Sequence, residues 1–511
     1  MAPPPLHPPL SGLPLVLATV GLSLATFMNV LDTTIANVSL TPIAGDLGVS
    51  PSQGTWVITS FAVSNAVSVP LTGWLAQRLG ALRLFLVSTS LFTGASILCG
   101  LSSTLEALLL FRVMQGLVSG PMIPLCQTLL LQAYPKEKSG MALAFWAMTT
   151  TIAPVLGPIL GGWLTDNWSW PWIFYINLPV GLASVWLSAV VLRGRETPTR
   201  RLSIDSVGLV LLIVWVGATQ ILLDRGKELD WFNSQEIVVL GVIAALGFVV
   251  FLIWELTETH PVVDLSLFLR RNFTLGSLVL SLGYGTFFGI LVLTPLWLQR
   301  FMGYTATWAG LVTAPIGILA LALSPMVGRL LGKVDPRWLT TVSFAVFALC
   351  MLWRSTFTPD VEAGTIALSH LLQGVAMATF FIPLTAIILS GLEPARIPAA
   401  SGLFNFLRLM AGAFATSLWT TQWENTATRH HAALVDLTAS VPGVAAAGEE
   451  AVARLQDQGL SAIQAWSQIE QMITAQATLL SFLDMVRMAG VVFLGLIALV
   501  WLTRPEQGPS R

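Results

Sequence analysis

Charge is scarce in this chain. Only 10% of its 511 residues are Asp, Glu, Lys or Arg, against about 25% in an ordinary soluble domain, which excludes a conventional water-soluble fold. The net charge of -1 offers no basic excess to hold a polyanion, so a nucleic-acid partner is excluded as well. Cys99, Cys126 and Cys350 are the sole cysteines. Each lies in an apolar run at spacings that fit neither a disulfide framework nor a metal site, and all three read as packing residues. No G-x-x-x-x-G-K-[ST], H-E-x-x-H or G-x-S-x-G occurs, so nucleotide-driven work and common hydrolase chemistry lack support. An enzyme, a cofactor and a metal are not expected. The opening M-A-P-P-P-L-H-P-P-L has no Lys or Arg ahead of the first apolar run, unlike a cleavable signal, and residues 1-12 read as a disordered tail.

What the chain has is apolar length. It is 55% hydrophobic, with a mean hydropathy of +0.77, and runs of about 20 apolar residues span a bilayer as helices. Fourteen are expected: 13-35, 54-73, 83-101, 105-130, 140-163, 171-192, 205-223, 236-255, 273-296, 307-327, 338-353, 365-389, 401-420 and 485-503. With the N-terminus inside, inner loops and the tail 504-511 carry 16 Lys and Arg, Arg201 and Arg511 among them, and outer loops carry 6, counting Arg354. This bias places both termini in the cytoplasm. The fold class is therefore an all-α polytopic membrane protein in the lipid bilayer.

Landmarks recur in order. Trp56 matches Trp308, Gly73 matches Gly328, Gln115-Gly116 matches Gln373-Gly374, and Ser139-Gly140 matches Ser401-Gly402. The offsets imply two parallel six-helix halves, 13-192 and 273-503, with two central helices inserted over 205-255. Halves of this kind are a transporter arrangement with a site at the midplane.

Residues 153-162 read A-P-V-L-G-P-I-L-G-G. Pro154 and Pro158 are tolerated in a membrane helix as a bend, while Gly157, Gly161 and Gly162 offer a close-packing face. The run is expected to shape the seam where the halves rock. Residues 421-484 form one long outer segment with apolar residues at helical spacing, including Ile463, Trp466 and Met472. Two amphipathic helices are expected there, broken near 440-448, as either a partner-binding hairpin or a self-packed cap.

Charges inside the spans are costly and mark function or its neighbourhood. Asp32 follows about 20 uncharged residues near the outer end of span 1. A partly desolvated carboxylate at the negative end of a helix dipole holds a proton more readily, as a carrier needs; the alternative is an interfacial cap made with Thr33 or Thr34. Arg112, two turns inside span 4, must face the bundle interior or snorkel outward. Arg408, with Asn405 on the same helix face, is suited either to an anionic substrate or to a structural link. His370 either titrates or packs, and Asp224 either reaches the cavity or belongs to a solvated loop. Trp146 and Met28 lie mid-span, in a chain with 19 Trp, 25 Phe and only 4 Tyr. A cavity so greasy suits hydrophobic or weakly ionised compounds better than sugars.

The motifs L-D-T-T-I-A-N-V (31-38), S-Q-G-T-W-V-I-T-S-F (52-61), F-R-V-M-Q-G (111-116), the 153-162 run, L-D-R-G-K-E-L-D-W-F (223-232) and G-Y-T-A-T-W-A-G-L (303-311) resemble the 14-span drug:proton antiporter branch of the major facilitator superfamily. The resemblance covers nearly the whole chain. It implies a major facilitator fold and a proton-driven efflux antiporter in a bacterial inner membrane, powered by the proton gradient without a cofactor. A periplasmic membrane-fusion adaptor would lead to an outer-membrane channel. Asp32, Arg112 and Asp224 then serve proton coupling, and Arg408, Asn405, His370, Gln115, Met28 and Trp146 line the substrate cavity. Pro154, Gly157, Pro158, Gly161 and Gly162, with Gly73, Arg78 and Arg83, serve gating. One departure is Gln77, which stands where the loop motif usually has Asp. A specific lipid or siderophore exporter, or a non-transporting sensor or scaffold on this fold, are the alternative readings.

Overall fold

The computed structural model describes residues 8-200, 203, 205-259, 261-440 and 442-504. Most of the expected end tails, with Arg201 and Arg511, thus lie outside the described residues. Every regular element among those described is helical. Long apolar runs leave the backbone no partner but itself, and the helix satisfies it.

Twelve helices are long and apolar enough to cross a membrane, or thirteen if Lys136-Pro154 and Ile159-Asn167, bent by 44°, count as one span. The segment expected as the second span is not among them. It is nonetheless helical from α2 (Trp56-Ser68) through a tight turn at Val69-Leu71 into α3 (Thr72-Leu79).

One group of helices gathers around α1 (Gly12-Val38). α4 (Ala81-Gly100), α5 (Leu105-Ser119), α6 (Met122-Ala133), α7 (Ser139-Asn167) and α8 (Asn177-Val191) complete it. Here α1 packs on α6, α7 and α8, and α5 on α2 and α4. The Thr104 side chain caps α5 by accepting from the Ala107 amide, satisfying one of the orphan donors at the helix start.

α9 (Ser206-Arg225) and α10 (Gln235-Thr257) pair with each other. α9 also touches α2 and the long α16 (Ile397-Ser440). The remaining helices of nine or more residues are α11 (Arg271-Arg300), α12 (Ile316-Leu330), α13 (Pro336-Arg354), α14 (Ala363-Ala378), α15 (Phe381-Leu389), α17 (Pro442-Asp457) and α18 (Ala462-Trp501). In this second group α11 packs on α16 and α18, and α13 on α14 and α18.

The two groups meet where α7 crosses α12 and where α3 and α6 meet α16. Two of the repeat landmarks touch each other at the first crossing. A Cβ added to Gly328 would fall 2.6 Å from the Gly140 carbonyl oxygen, and one on Gly73 would fall 2.5 Å from the Ala399 Cβ. Bare backbone lets the helices approach this closely.

The segment 421-484 departs from expectation. It is three helical pieces rather than two, because α16 continues unbroken to Ser440 and α18 begins at Ala462. α17 lies between them, and the second break follows Asp457. Ser461 and Gln464 form a reciprocal capping box at the start of α18, which explains why a new helix starts there. His430 pairs with Asp484 and His431 with Glu470, both at 2.7 Å, tying α16 to α18.

Candidate functional site

Asp32 is not at the end of its helix, since α1 runs on to Val38. Thr33 and Thr34 donate to backbone carbonyls of Val30 and Leu31, so neither joins Asp32 in a cap. The Asp32 carboxylate is wholly buried. Its Oδ2 meets Arg112 Nη1 at 2.6 Å, while its Oδ1 accepts from Gln115 Nε2 at 3.1 Å and Asn177 Nδ2 at 2.9 Å.

Arg112, equally buried, is held from three sides. Its Nε donates to the Val57 carbonyl at 2.9 Å, its Nη1 also reaches Gln115 Oε1 at 2.6 Å, and its guanidinium lies 4.3 Å from the Phe61 ring centre. Ser96 Oγ accepts from Gln115 at 2.8 Å and from Asn177 at 3.2 Å. Five helices therefore converge on one carboxylate–guanidinium pair. A buried pair survives only with its remaining hydrogen-bonding capacity satisfied, and here both charges are densely bonded.

The structure brings Asp32, Arg112 and Gln115 together, so Gln115 belongs to this cluster rather than to a substrate cavity. Asp224 is separate. It is exposed at the end of α9 and accepts a hydrogen bond from Thr59, two residues beyond the Val57 carbonyl that holds Arg112.

Arg408 lies in a second group. It is 9% exposed, with Tyr284 at 5.0 Å and Phe381 at 5.7 Å from its guanidinium carbon, a cation–π arrangement. Trp146, fully buried in α7, meets the edge of Phe381 at 6.1 Å, so both groups of helices contribute. Arg408 Nε, Trp146 Nε1 and Asn405 Oδ1 are buried and have no hydrogen-bond partner among the described residues. Asn405 Nδ2 bonds its own helix at Ser401 O, 2.8 Å away. Met28 is fully buried in α1.

Two expectations need correction. Arg354, counted with the outer loops, is 1% exposed at the end of α13; it donates to Ser369 Oγ at 3.0 Å and to Gln373 Oε1. His370 lies near this arginine and not with Arg408. Its Nδ1 faces the Ile366 carbonyl of its own helix at 2.9 Å. The close-packing face of the 153-162 run meets α1: a Cβ on Gly157 would strike the Thr34 side chain, and one on Gly161 would come 2.8 Å from Ile35 Cγ1. Pro154 and Gly162 are half-buried, and the Pro158 side chain lies outside the described ones. Glycines at the seam include Gly140, Gly328, Gly73 and Gly402.

Order in the loop that carries Gln77 comes from Glu196. Glu196 accepts from the Leu82 amide at 3.0 Å and the Arg83 amide at 2.8 Å, a carboxylate at the positive end of α4. Arg78 stacks 5.2 Å from the Trp74 ring. Among the described residues no cluster of three or more His, Cys, Asp or Glu could hold a metal, and the three cysteines are free and buried.

Two site residues escaped the sequence reading. Asn177 was one amide in the sixth apolar run. Arg354 was visible only as the end of another, although it stands 258 residues after Ser96, the same offset that links Gln115 and Gln373.

The sequence profile of the Major Facilitator Superfamily matches residues 22-416. The multidrug export protein EmrB of Escherichia coli K12 is 52% identical over 501 residues, covering 98% of this chain and 97% of that protein. The fatty acid resistance protein FarB of Neisseria gonorrhoeae is 48% identical over 499 residues and 98% of both chains. The crystal structure of the human organic anion transporter MFSD10 aligns with a TM-score of 0.58 at 13% identity, covering 95% of this chain and 98% of that one, which speaks to the fold alone. By its profile match and by relatives about half identical from end to end, the chain belongs to the major facilitator superfamily.

Proposed function

We propose that the protein is a proton-driven multidrug efflux antiporter of a bacterial inner membrane, exporting hydrophobic or weakly ionised compounds. The observation that carries this reading is the closed Asp32–Arg112 pair, at 2.6 Å and shielded from solvent. A buried ion pair contributes little net stability, so its retention in a membrane core is better explained by use than by folding. Protonation of Asp32 removes one charge, releases Arg112 from its counter-ion and changes the packing of α1, α2 and α5 at once. In this reading the halves 13-192 and 273-503, with the pair over 205-255 inserted between them, rock about a midplane site.

The compound binds beside Arg408, Tyr284, Phe381 and Trp146, where unpartnered polar atoms line an aromatic wall. The printed functions of the relatives, multidrug export and fatty acid resistance, fit such a wall. The excess of Lys and Arg on one side favours both termini in the cytoplasm and the 421-484 hairpin in the periplasm. Ile463 at 84%, Trp466 at 53% and Met472 at 61% exposure leave that hairpin's apolar face uncovered. This favours docking to a membrane-fusion adaptor, and through it to an outer-membrane channel, over a self-packed cap.

Drug-dependent proton flux in proteoliposomes tests the core of the proposal. Asp32→Asn is expected to abolish it in protein that still folds; undiminished flux would remove Asp32 from the mechanism.

A further inference from the structure

We propose that Asn177 is the positioning residue that adapts to the charge state of Asp32, donating to its carboxylate and, with its amide turned over, accepting from its carboxylic acid. This inference rests on the proton-carrier reading of Asp32.

The two amides on Asp32 Oδ1 are not equivalent. Gln115 is fixed in one sense, because its Oε1 takes a hydrogen bond from Arg112 Nη1 at 2.6 Å while its Nε2 serves Asp32 and Ser96. Turning it over would set its NH2 against the guanidinium, donor against donor. Asn177 has no such lock. Its Nδ2 donates to Asp32 Oδ1 and Ser96 Oγ, and its Oδ1 takes no hydrogen bond from a described residue. Rotation by half a turn about its terminal torsion brings Oδ1 to the Asp32 oxygen. A proton carried on Asp32 Oδ1 then finds an acceptor, and none of the other bonds in the cluster is broken except those Asn177 itself made. Ser96 meanwhile keeps its donation to the Phe92 carbonyl at 2.9 Å and its bond from Gln115, and loses only the donor that Asn177 supplied.

The local backbone explains how the amide reaches this depth. A short helical turn, Trp172-Tyr175, stops at Ile176, and α8 restarts at Asn177, so the side chain projects from a break in the sixth apolar run.

Few other titratable groups face the pair. α5 supplies Arg112, and α4 supplies Cys99, whose Sγ lies 3.8 Å from Gln115 Oε1. α6 carries Cys126, and Tyr134 at its end meets Thr19 near the other end of α1. α2 and α8 have no titratable side chain, α7 has only Asp166 near its far end, and the turn before α8 has Tyr175. Asp46, beyond α1, accepts from Trp170 Nε1.

The test is an infrared pH titration of the full-length protein in lipid, following the carboxylic C=O band that Asp32→Asn removes. In Asn177→Leu the acid has lost its acceptor, so the frequency of that band is expected to shift. Asn177→Gln is expected to restore the frequency towards wild type. An unchanged frequency in Asn177→Leu, in protein that melts like wild type, overturns the proposal. Should that variant not fold, Asn177→Ser carries the same expectation. A titrating carboxylic band identical in Asp32→Asn overturns the proton-carrier reading itself, whatever Asn177 does.

Discussion

Arg354 stands in the second half where Ser96 stands in the first, 258 residues earlier, and each bonds the glutamine of its own half, Gln373 or Gln115. The two clusters share a scaffold but not a charge pattern. Asp32 gives the first a carboxylate; among the described residues Arg354 meets only neutral acceptors, Ser369 and Gln373.

Removing Arg354 orphans both acceptors. Arg354→Met is expected to lower stability by about 1-3 kcal/mol for each buried group left unpaired. Adding Gln373→Met recovers part of that loss, because no orphan then remains at that end. Thermal melting in detergent distinguishes the single from the double variant.

The first cluster predicts a stronger asymmetry. Arg112→Leu leaves the Asp32 charge buried without a counter-ion, at a cost of about 3-5 kcal/mol. Arg112→Leu with Asp32→Asn removes both charges and is expected to melt above the single Arg112 variant. Equal melting of the two would deny that the pair is closed as described.

At the seam, substitution acts on movement more than on folding. Gly328→Ala places a methyl group 2.6 Å from the Gly140 carbonyl oxygen, inside any tolerable contact, so the closed approach of α7 and α12 is lost. Transport is expected to fall severely. Gly94→Ala, where nothing lies within 4 Å, serves as the tolerated control, and protection of a cysteine introduced at Ala144, which borders Gly328, from a soluble thiol reagent reports the closure directly.

Asp335 caps α13, and hydrogen bonds from Arg337 hold its carboxyl below the usual range. A depressed folded value means the stabilisation is complete above the unfolded value of about 3.9 and is lost as pH falls through the folded one. Wild type should therefore lose more melting temperature on acidification below pH ~4 than Asp335→Asn, which has no such charge to lose.

Much of this molecule was legible in advance because membrane helices write their length directly in apolar residues. What the pattern could not supply was direction. Gly157 and Gly161 read as a close-packing face, but nothing in the run said whether the neighbour was α1 or the other half. Arg354 read as a loop cation since a charge at the end of an apolar run has the same sequence signature whether it points out to water or in to Gln373. Asn177 was hidden for the opposite reason: a single neutral amide hardly dents hydropathy, and its meaning depends on partners 145 and 81 residues away. The line 54-73 was read as an ordinary span, whereas its polar residues and the turn at Val69-Leu71 set it apart from the twelve.

One unbroken helix joins places that have so far been treated separately. From Gly402, which borders Thr72 across the seam, to His431, which is tied to α18, α16 continues without interruption. At 1.5 Å per residue that is a rod of about 43 Å. A tilt of about 10° at its seam end would carry the far end sideways by roughly 7 Å, a displacement larger than a helical turn. The helix is in effect a lever, and a partner seated on the hairpin would feel each transport cycle as a mechanical stroke.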